Sequence, residues 1–293
     1  MAVADMLVSL FIMPFSIKFL YHGQKWLSGG LGSLTCKFVN FSGHVSIAAS
    51  IIALVAISLD RYFAILHPFK HLPLIRNTKL VTTLIWLASS VFMIPYLVLY
   101  NSTRGIDDRW RCHLDWNYIS KNGQVQLEFA QAYFLVTIFC LFIIPLCIIA
   151  TIYTLIGFRL WSRQIPGQTN EDARRKAEKS KKKVLRMLTI VVTAFTLCWF
   201  PVHLMHFLTY FYIQKYLNII KQYPHLEASM YFLGHTNSAI NPCLYVLLNE
   251  RFKREFLNIV CFCSSGKKYF QSTTDSFTFD HRVKETETRG SRL

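Results

Sequence analysis

The sequence predicts an all-α integral membrane protein, and two observations carry this prediction: long apolar runs and an uneven placement of charge. Of the 293 residues, 53% are hydrophobic. They cluster in six runs that mostly lack the polar residues which a soluble helix or strand would interleave. Each run has the length of a membrane-spanning helix, about 20 residues. The runs cover approximately 2–20, 38–59, 80–100, 133–156, 184–212 and 226–248.

The net charge of +16 comes from basic residues that lie mostly on one side of the predicted spans. Of the 32 Lys and Arg residues, 23 lie in 61–79, in 157–186 and after residue 249. Cytosolic loops of membrane proteins carry such an excess, so these segments are predicted to be cytosolic, together with both ends of the chain. Basic loops also attract anionic lipid headgroups. We therefore expect membrane lipid as a partner and no nucleic acid.

The first apolar run starts with the chain itself, at Met1-Ala2-Val3. No charged segment precedes it and no cleavage site follows it, so a signal peptide is not predicted. A chain that begins inside a span is expected to be a fragment of a longer protein or the product of an incomplete gene model.

The segment after the last run is predicted to form an amphipathic helix on the membrane surface, over 249–261. Cys261 and Cys263 at its end are candidates for palmitate, and a plain amphipathic helix without lipid is the alternative. The tail over 264–293 is rich in Ser, Thr, Lys and Glu. It is predicted to be disordered and cytoplasmic.

The polar segment 101–128 is predicted to lie outside the cell. Cys36 and Cys112 fall on this side, where disulfides persist. Asn101-Ser102-Thr103 matches the acceptor pattern for N-glycosylation in the right compartment. Asn40 matches the same pattern but lies within a span, so we expect it to be unmodified.

Several polar side chains lie inside the predicted spans, where an unpartnered polar group is costly. Asp5 is the carboxylate deepest in a span, and Ser50 lies midway along the second run. Asn237, Asn241 and Tyr245 are four residues apart and therefore share a helix face. If these groups converge, they form a polar cavity that suits a hard cation bound by oxygen atoms. A water-filled hydrogen-bond network without an ion is the alternative.

Pro95, Pro145, Pro201 and Pro242 each lie inside a predicted run. A proline inside a helix removes a backbone hydrogen bond and kinks the helix. Kinked helices around a polar centre favour two packings of similar energy. The pattern therefore predicts a bundle that can change its conformation.

An aromatic stripe occupies one face of the fifth run, because Phe195, Trp199, His203 and His206 follow a 4-4-3 spacing. Phe195 and Trp199 are typical of a packed core. The two histidines need partners or water, which favours a cavity near the outer end of this helix. Binding of a metal ion by the histidines is the alternative.

Asp60-Arg61-Tyr62 follows directly after the uncharged run 38–59. Charged groups at the end of a span reach the water boundary, where their desolvation cost is small. An acid and an arginine at such a place can separate, and each can then pair with a different partner. The tripeptide is therefore a candidate switch.

Together these features resemble the rhodopsin-like G-protein-coupled receptors, over residues 1 to about 263. The motifs that carry the resemblance stand in the order and at the spacing of that family. They are Ala2-Val3-Ala4-Asp5-Met6, Cys36 placed 25 residues before Arg61, Asp60-Arg61-Tyr62, Trp86, Pro145 with Tyr153 eight residues later, Cys198-Trp199-Phe200-Pro201 and Asn241-Pro242-Cys243-Leu244-Tyr245. The family has seven spans. The resemblance thus implies a seven-helix receptor bundle over 1–263, of which six spans are present and the first is absent.

The resemblance also implies roles for individual residues. It implies a disulfide between Cys36 and Cys112. It also implies that Asp60 holds Arg61 in the resting state and that Arg61 meets the G protein when it is released. The implied switch residues are Asp60, Arg61, Tyr62, Tyr153 and Tyr245. The implied activation hinge consists of Phe195, Trp199, Pro201, Asn241 and Pro242. The implied pocket for an allosteric sodium ion, with no other cofactor or metal, consists of Asp5, Ser50, Asn237, Ser238 and Asn241.

The kind of ligand is narrowed by Gly43. Amine receptors of this family carry an aspartate at this position, so a biogenic amine is disfavoured. The segments Cys112-His113-Leu114-Asp115-Trp116 and Cys198-Trp199-Phe200-Pro201-Val202-His203 resemble tachykinin-type and related neuropeptide receptors. Candidate pocket residues, chosen by helix face, are His44, His203, His206, Tyr210, Glu227 and Tyr231. Glu227 is a candidate partner for a basic residue of a peptide, with a solvated helix end as the alternative.

The implied function is that of a neuropeptide receptor of the plasma membrane. It acts on a heterotrimeric G protein, with arrestin and a receptor kinase as further partners. Ser, His and Asp residues do not form a nucleophile set, so no catalytic residue and no enzymatic activity are expected. A transporter would need paired repeats and several intramembrane charges, and is disfavoured. A truncated, non-signalling form that modulates full-length receptors is the alternative that the absent helix leaves open.

Overall fold

The apolar runs form helices in the computed structural model, which describes residues 2–23, 25–67, 77–105, 107–162, 171–248 and 250–262. The chain divides into two compact units, Met1–Pro242 and Cys243–Leu293. The helices, in chain order, are α1 (Ala2–Leu7), α2 (Met13–His22), α3 (Gly29–Leu66), α4 (Thr78–Phe92), α5 (Ile94–Leu99), α6 (Gly123–Ile138), α7 (Ile144–Ser162), α8 (Glu171–Phe211), α9 (Ile213–Gln222), α10 (Leu226–Leu248) and α11 (Glu250–Phe262). Two strands, β1 (Tyr100–Arg104) and β2 (Trp110–Leu114), pair antiparallel.

Four helical stretches are long and apolar enough to cross a membrane. They are Ala2–His22, Gly29–Leu66, Gly123–Arg159 and Leu185–Phe211. These stretches match the first, second, fourth and fifth predicted runs. Thr78–Phe92 is a shorter apolar helix, and the 23-residue α10 is rich in polar residues. The total of six spans therefore stays a prediction.

The helix α3 is the centre of the first unit, with 38 residues. It packs against α1, α4, α5, α7 and both strands. Its buried face is made of small and polar residues, which let neighbouring helices approach closely. The buried residues of α3 are Gly32, Cys36, Asn40, Gly43, Val45, Ser46, Ala48, Ala49, Ser50, Ile51, Leu54 and Ser58. Leu31, Leu34 and Phe38 lie on the opposite, exposed face.

Two π-helical turns precede prolines, one in the first and one in the fourth predicted run. The turn Val8–Ile12 comes just before Pro14, and the turn Phe139–Ile143 comes just before Pro145. A wider turn makes room for the proline ring and tolerates the loss of the backbone hydrogen bond that proline cannot make. Pro14 was not among the prolines that the sequence pattern singled out, and Pro145 was.

The predicted run 80–100 does not form one helix. The helix is interrupted at Met93 (φ −94°, ψ 2°), and Pro95 lies in the first turn of α5. Proline is well tolerated there, because the first helical N–H groups have no intrahelical partner. Tyr100, the last residue of the predicted run, already belongs to β1.

The strands form a hairpin that the disulfide ties to α3. Ser102 lies opposite Cys112 in the ladder, and Cys112 is bonded to Cys36 with a Cα–Cα distance of 5.7 Å. The predicted disulfide is therefore present. The Trp26 N–H donates to the Trp110 carbonyl at 2.8 Å, so the α2–α3 connection extends the hairpin.

The remaining predictions about segments have mixed outcomes. The helix α8 begins at Glu171, 13 residues before the predicted run 184–212. The short helix α9 was not predicted. The backbone of α11 matches the predicted helix over 249–261. The Cys261 side chain, Cys263 and the tail 264–293 lie outside the described residues, so their predictions stay open.

Gly32 provides a test of the packing between α3 and the loop before it. A Cβ atom at this position would collide with the carbonyl oxygen of Leu27, which is backbone and cannot rotate away. Gly30 has open space around the same position. We expect Gly32→Ala to lower the thermal inactivation temperature and the amount of protein at the cell surface, because overpacking costs about 1–3 kcal/mol. Gly30→Ala is the matched control. Equal behaviour of the two variants would contradict the packing described for this loop.

Candidate functional site

A cavity of about 290 Å³ opens within the first unit, at the end of α3 that carries the disulfide. Side chains from α2, α3, α5, α6, α8 and α10 line it, together with residues of β2. All six residues that helix faces predicted for a ligand pocket are among them. They are His44, His203, His206, Tyr210, Glu227 and Tyr231.

Two of the cavity histidines lie on α8. The His206 Nε2 atom is 2.6 Å from the Tyr231 hydroxyl, which joins α8 to α10. The ring of His203 lies 4.5 Å from the ring of Phe142, between centroids. Among the described residues, no three His, Cys, Asp or Glu side chains come together as metal ligands, so the metal-binding alternative has no support.

His44 on α3 is held by its own helix and by an aromatic neighbour. Its Nδ1 atom lies 2.7 Å from the Asn40 carbonyl oxygen. A carbonyl oxygen only accepts, so Nδ1 carries the proton and Nε2 is left as an acceptor in the neutral ring. The ring stacks on Tyr96 of α5, with centroids 3.9 Å apart. The stack fixes the orientation of His44 toward the cavity.

Sequence reasoning missed many lining residues, and four of them are a histidine and three tyrosines. His235 lies four residues after Tyr231 on α10, and its Nδ1 atom is 2.6 Å from the Ser16 hydroxyl oxygen. The four-residue spacing of Glu227, Tyr231 and His235 is a signal that could have found it. The others, Tyr96, Tyr100 and Tyr133, come from two neighbouring segments. No pattern within the sequence brings those two segments together.

The charge of the cavity is set by one acid. Glu227 is the only Asp or Glu among the described lining residues, and neither Lys nor Arg lines the cavity there. The Tyr216 side chain of α9 lies next to Glu227. Burial, together with the adjacent Glu227 charge, raises the pKa of the Tyr216 phenol. The phenol therefore stays protonated at neutral pH and can donate to Glu227.

The floor of the cavity is built by the predicted hinge residues of α8. Phe195 and Trp199 line it, and the Trp199 ring meets the His235 ring edge to face at 5.7 Å. Gly234 lets α10 approach this tryptophan, since a Cβ atom there would lie 3.3 Å from the indole ring. Pro201 follows two residues later inside α8. A hinge motion at this point stays a prediction.

A polar cluster lies on α1, α3 and α10. The Asn241 amide donates to the Asp5 carboxylate at 3.2 Å. The side-chain oxygens of Asn237 and Asn241 are buried and have no hydrogen-bond partner among the described residues. Asp5, Ser50, Asn237, Ser238 and Asn241 are all at least nine-tenths buried. The predicted sodium pocket comprises these five buried residues, and binding of an ion there stays a prediction.

The predicted switch lies near the other end of α3. The Arg61 Nε atom is 3.8 Å from the Asp60 carboxylate, and both side chains are almost half exposed. One turn earlier, the buried Ser58 hydroxyl is hydrogen-bonded to the Tyr153 hydroxyl of α7 at 2.9 Å. Tyr153 is therefore anchored to α3 beside Arg61, by a serine that sequence reasoning missed. The Tyr245 side chain lies outside the described residues.

Asn101, the predicted glycosylation site, lies on β1 in the hairpin. Its side-chain oxygen accepts from the Ser33 hydroxyl at 2.8 Å, and its side-chain NH₂ group donates to the Tyr118 hydroxyl at 3.2 Å. Modification of this amide stays a prediction.

The chain is similar to known receptors along almost its whole length. The model of the 7 transmembrane receptor (rhodopsin family) matches residues 1–245. The Tachykinin-like peptides receptor 86C of Drosophila melanogaster is 33% identical over 272 residues, which cover 91% of this chain and 52% of that protein. The human Neuromedin-K receptor is 32% identical over 232 residues, or 79% of this chain and 48% of that protein.

A third relative, the Substance-P receptor of Aquarana catesbeiana, is 31% identical over 266 residues, or 90% of this chain and 61% of that protein. The chain thus spans about half the length of the curated relatives that it matches. The residues of the cavity, the disulfide, the polar cluster and the ion pair all lie within the matched segment 1–245. The chain belongs to the rhodopsin family of seven-transmembrane receptors.

Proposed function

We propose that this protein is a neuropeptide receptor that transmits ligand binding in its cavity to a heterotrimeric G protein. The observation that carries the proposal is the layout of α3, which lines the cavity at His44 and bears the Asp60–Arg61 ion pair at its other end. His44 and Arg61 are 17 positions apart, or about 25 Å along a helix. One continuous helix thus connects the ligand site with the surface that would meet the G protein.

The ligand class follows from the lining of the cavity. A third of the described lining side chains are Phe, Tyr or Trp, and Glu227 is the single acid. Such a surface suits a peptide with aromatic residues and one positive charge, because aromatic faces and a carboxylate both attract cations. The names of the relatives, receptors for tachykinin-like peptides, neuromedin-K and substance P, support a peptide.

The size of the cavity indicates how such a peptide binds. At about 290 Å³ it lies at the lower end of the roughly 300–1,000 Å³ range of small-molecule pockets. It therefore takes one end of a peptide, and the remainder lies against the hairpin and the outer loops. Screening a neuropeptide library, with tachykinin-type peptides included, identifies the ligand.

The switch end suits a change of partner. An exposed ion pair at 3.8 Å contributes about 0–1 kcal/mol, so a G protein can replace Asp60 as the partner of Arg61 at low cost. Release of Tyr153 from Ser58 would free its hydroxyl to turn toward Arg61. Both changes are small and local, which suits a signal that crosses the bundle.

The buried cluster around Asp5 suits a sodium ion. The orphaned oxygens of Asn237 and Asn241, together with the Asp5 carboxylate and the Ser50 and Ser238 hydroxyls, are the hard donors that this ion takes. An ion there would neutralise the buried Asp5 charge and favour the resting packing.

The location and further partners follow from the same proposal. The receptor lies in the plasma membrane with its tail in the cytoplasm, where arrestin and a receptor kinase reach it. The proposal includes palmitate on Cys261 or Cys263 and a glycan on Asn101. Nothing in the described residues favours the non-signalling alternative.

Glu227→Gln tests the ligand class. The substitution keeps the shape and removes the charge, so we expect the potency of the activating peptide to fall about tenfold or more, the value of one charged hydrogen bond. Peptide binding and signalling in cells measure the change. The exposed Glu128→Gln is the matched control, because Glu128 does not line the cavity. Unchanged potency for the Glu227 variant would contradict a cationic ligand.

Arg61→Ala tests the switch. We expect G-protein activation to be abolished while surface expression and peptide binding persist, since Arg61 is exposed and contributes little to folding. Nucleotide exchange on the G protein is the readout. Lys79→Ala, an exposed basic residue of α4, serves as the control. Full signalling by the Arg61 variant would show that this ion pair is not the switch.

Asp5→Asn tests the cation. We expect exchange of NaCl for choline chloride to change the thermal inactivation temperature and the peptide affinity of the unmodified receptor. The variant should not respond to this exchange in either measurement, because the carboxylate charge that attracts the ion is gone. KCl at the same ionic strength is the control. A sodium response that survives in the variant would place the ion elsewhere.

A further inference from the structure

The short helix α9, in the outer connection between α8 and α10, separates its residues completely by polarity. At about 100° per residue, its apolar side chains fall within an arc of about 160°. These are Ile213, Tyr216, Leu217, Ile219 and Ile220. Its polar side chains, Gln214, Lys215, Asn218, Lys221 and Gln222, occupy the other side. Such a helix requires an apolar surface on one side and water on the other.

The protein covers only part of this apolar face. Tyr216, Ile219 and Ile220 are half-buried, and Tyr216 reaches Glu227 at the cavity. Ile213 and Leu217, on the adjoining part of the face, are 47% and 50% exposed. These two side chains therefore need a partner that the described part of the chain does not supply.

The position of α9 indicates that this partner is lipid. The apolar stretch that ends at Phe211 has 27 residues. At 1.5 Å per residue it is about 40 Å long, close to the thickness of a bilayer with its headgroups. Because α9 begins two residues later and α10 re-enters the bundle at Leu226, α9 lies at the level of the outer headgroups.

The residues at both ends of α9 agree with this position. Tyr212 and Tyr223 flank the helix and are 48% and 55% exposed. Tyrosine is enriched at membrane interfaces, where its ring is in the apolar boundary and its hydroxyl in water. The Lys215 ammonium lies 5.0 Å from the Tyr212 ring centre, on the polar side. Lys215 and Lys221 can therefore meet lipid phosphates or water.

We propose that α9 is an interfacial helix that lies in the outer leaflet, with Ile213 and Leu217 inserted at the boundary of the acyl chains. A second copy of the protein is a poorer occupant, since two side chains fall far short of the roughly 800 Å² that each partner buries in a stable dimer. The proposal has a consequence for the cavity. Lipid contact at Ile213 and Leu217 fixes the orientation of α9, and this orientation keeps Tyr216 against Glu227.

Single cysteines on the two sides of α9 test the proposal on the receptor in intact cells. Leu217→Cys and Ile213→Cys probe the apolar face, and Asn218→Cys and Gln214→Cys are matched controls on the polar face. A membrane-impermeant maleimide measures the rate of reaction. We expect both apolar-face cysteines to react about tenfold more slowly, since burial in lipid lowers access and the thiolate fraction. Surface expression confirms that each variant folds.

Quenching in lipid nanodiscs then distinguishes lipid from protein as the cover. A fluorophore at position 217 or 213 should be quenched by lipids that carry a nitroxide on the acyl chain, and one at 218 or 214 should not. Slow labelling together with quenching supports the interfacial helix. Equal labelling rates on the two faces overturn it, because the apolar face then meets water. Slow labelling without quenching also overturns it, because protein then covers the face.

Discussion

The structure depends on one constraint: a polar group inside the bilayer must find its partner within the protein. The hydrogen bond between Asp5 and Asn241 meets this constraint at the point where it is most demanding. It joins the first helix to α10, 236 residues away along the chain. A carboxylate without such a partner would cost several kcal/mol in this environment. The side-chain oxygens of Asn237 and Asn241 beside it have no partner among the described residues, and they are donors that the proposed sodium ion would take.

The same constraint separates the two ends of α3 by their chemistry. At the cavity, His44, His206 and His235 each have a hydrogen-bond partner within 2.7 Å, so the unliganded pocket is preorganised. At the other end, Asp60 and Arg61 are exposed and 3.8 Å apart, so water and other proteins can compete for them. A rigid receiving end and a loosely held output end suit a transmitter. The Ser58–Tyr153 hydrogen bond lies one helical turn before Arg61 and ties α7 to this end of α3.

Helices and their faces were predictable because the hydrophobic pattern records them directly. Six pocket residues chosen by helix face all line the cavity, and the disulfide expected from the family is present. Tyr96, Tyr100 and Tyr133 were missed, since their position depends on the break at Met93 and on the hairpin, which long-range packing decides. Ser58 was missed for a similar reason, because a buried serine gains meaning only from its neighbour on another helix. The helix α9 was missed because its ten residues are too few to stand out as a run.

Coupling between the cavity and the Arg61 end of α3 is tested most directly by reciprocal binding. The affinity of the activating peptide is measured on purified receptor in nanodiscs, alone and with nucleotide-free G protein. If the two sites are linked through the bundle, G protein must raise the peptide affinity by the same factor by which peptide raises the affinity for G protein, about 5–150-fold for typical couplings. Equal peptide affinity with and without G protein would contradict the link between the cavity and the ion pair.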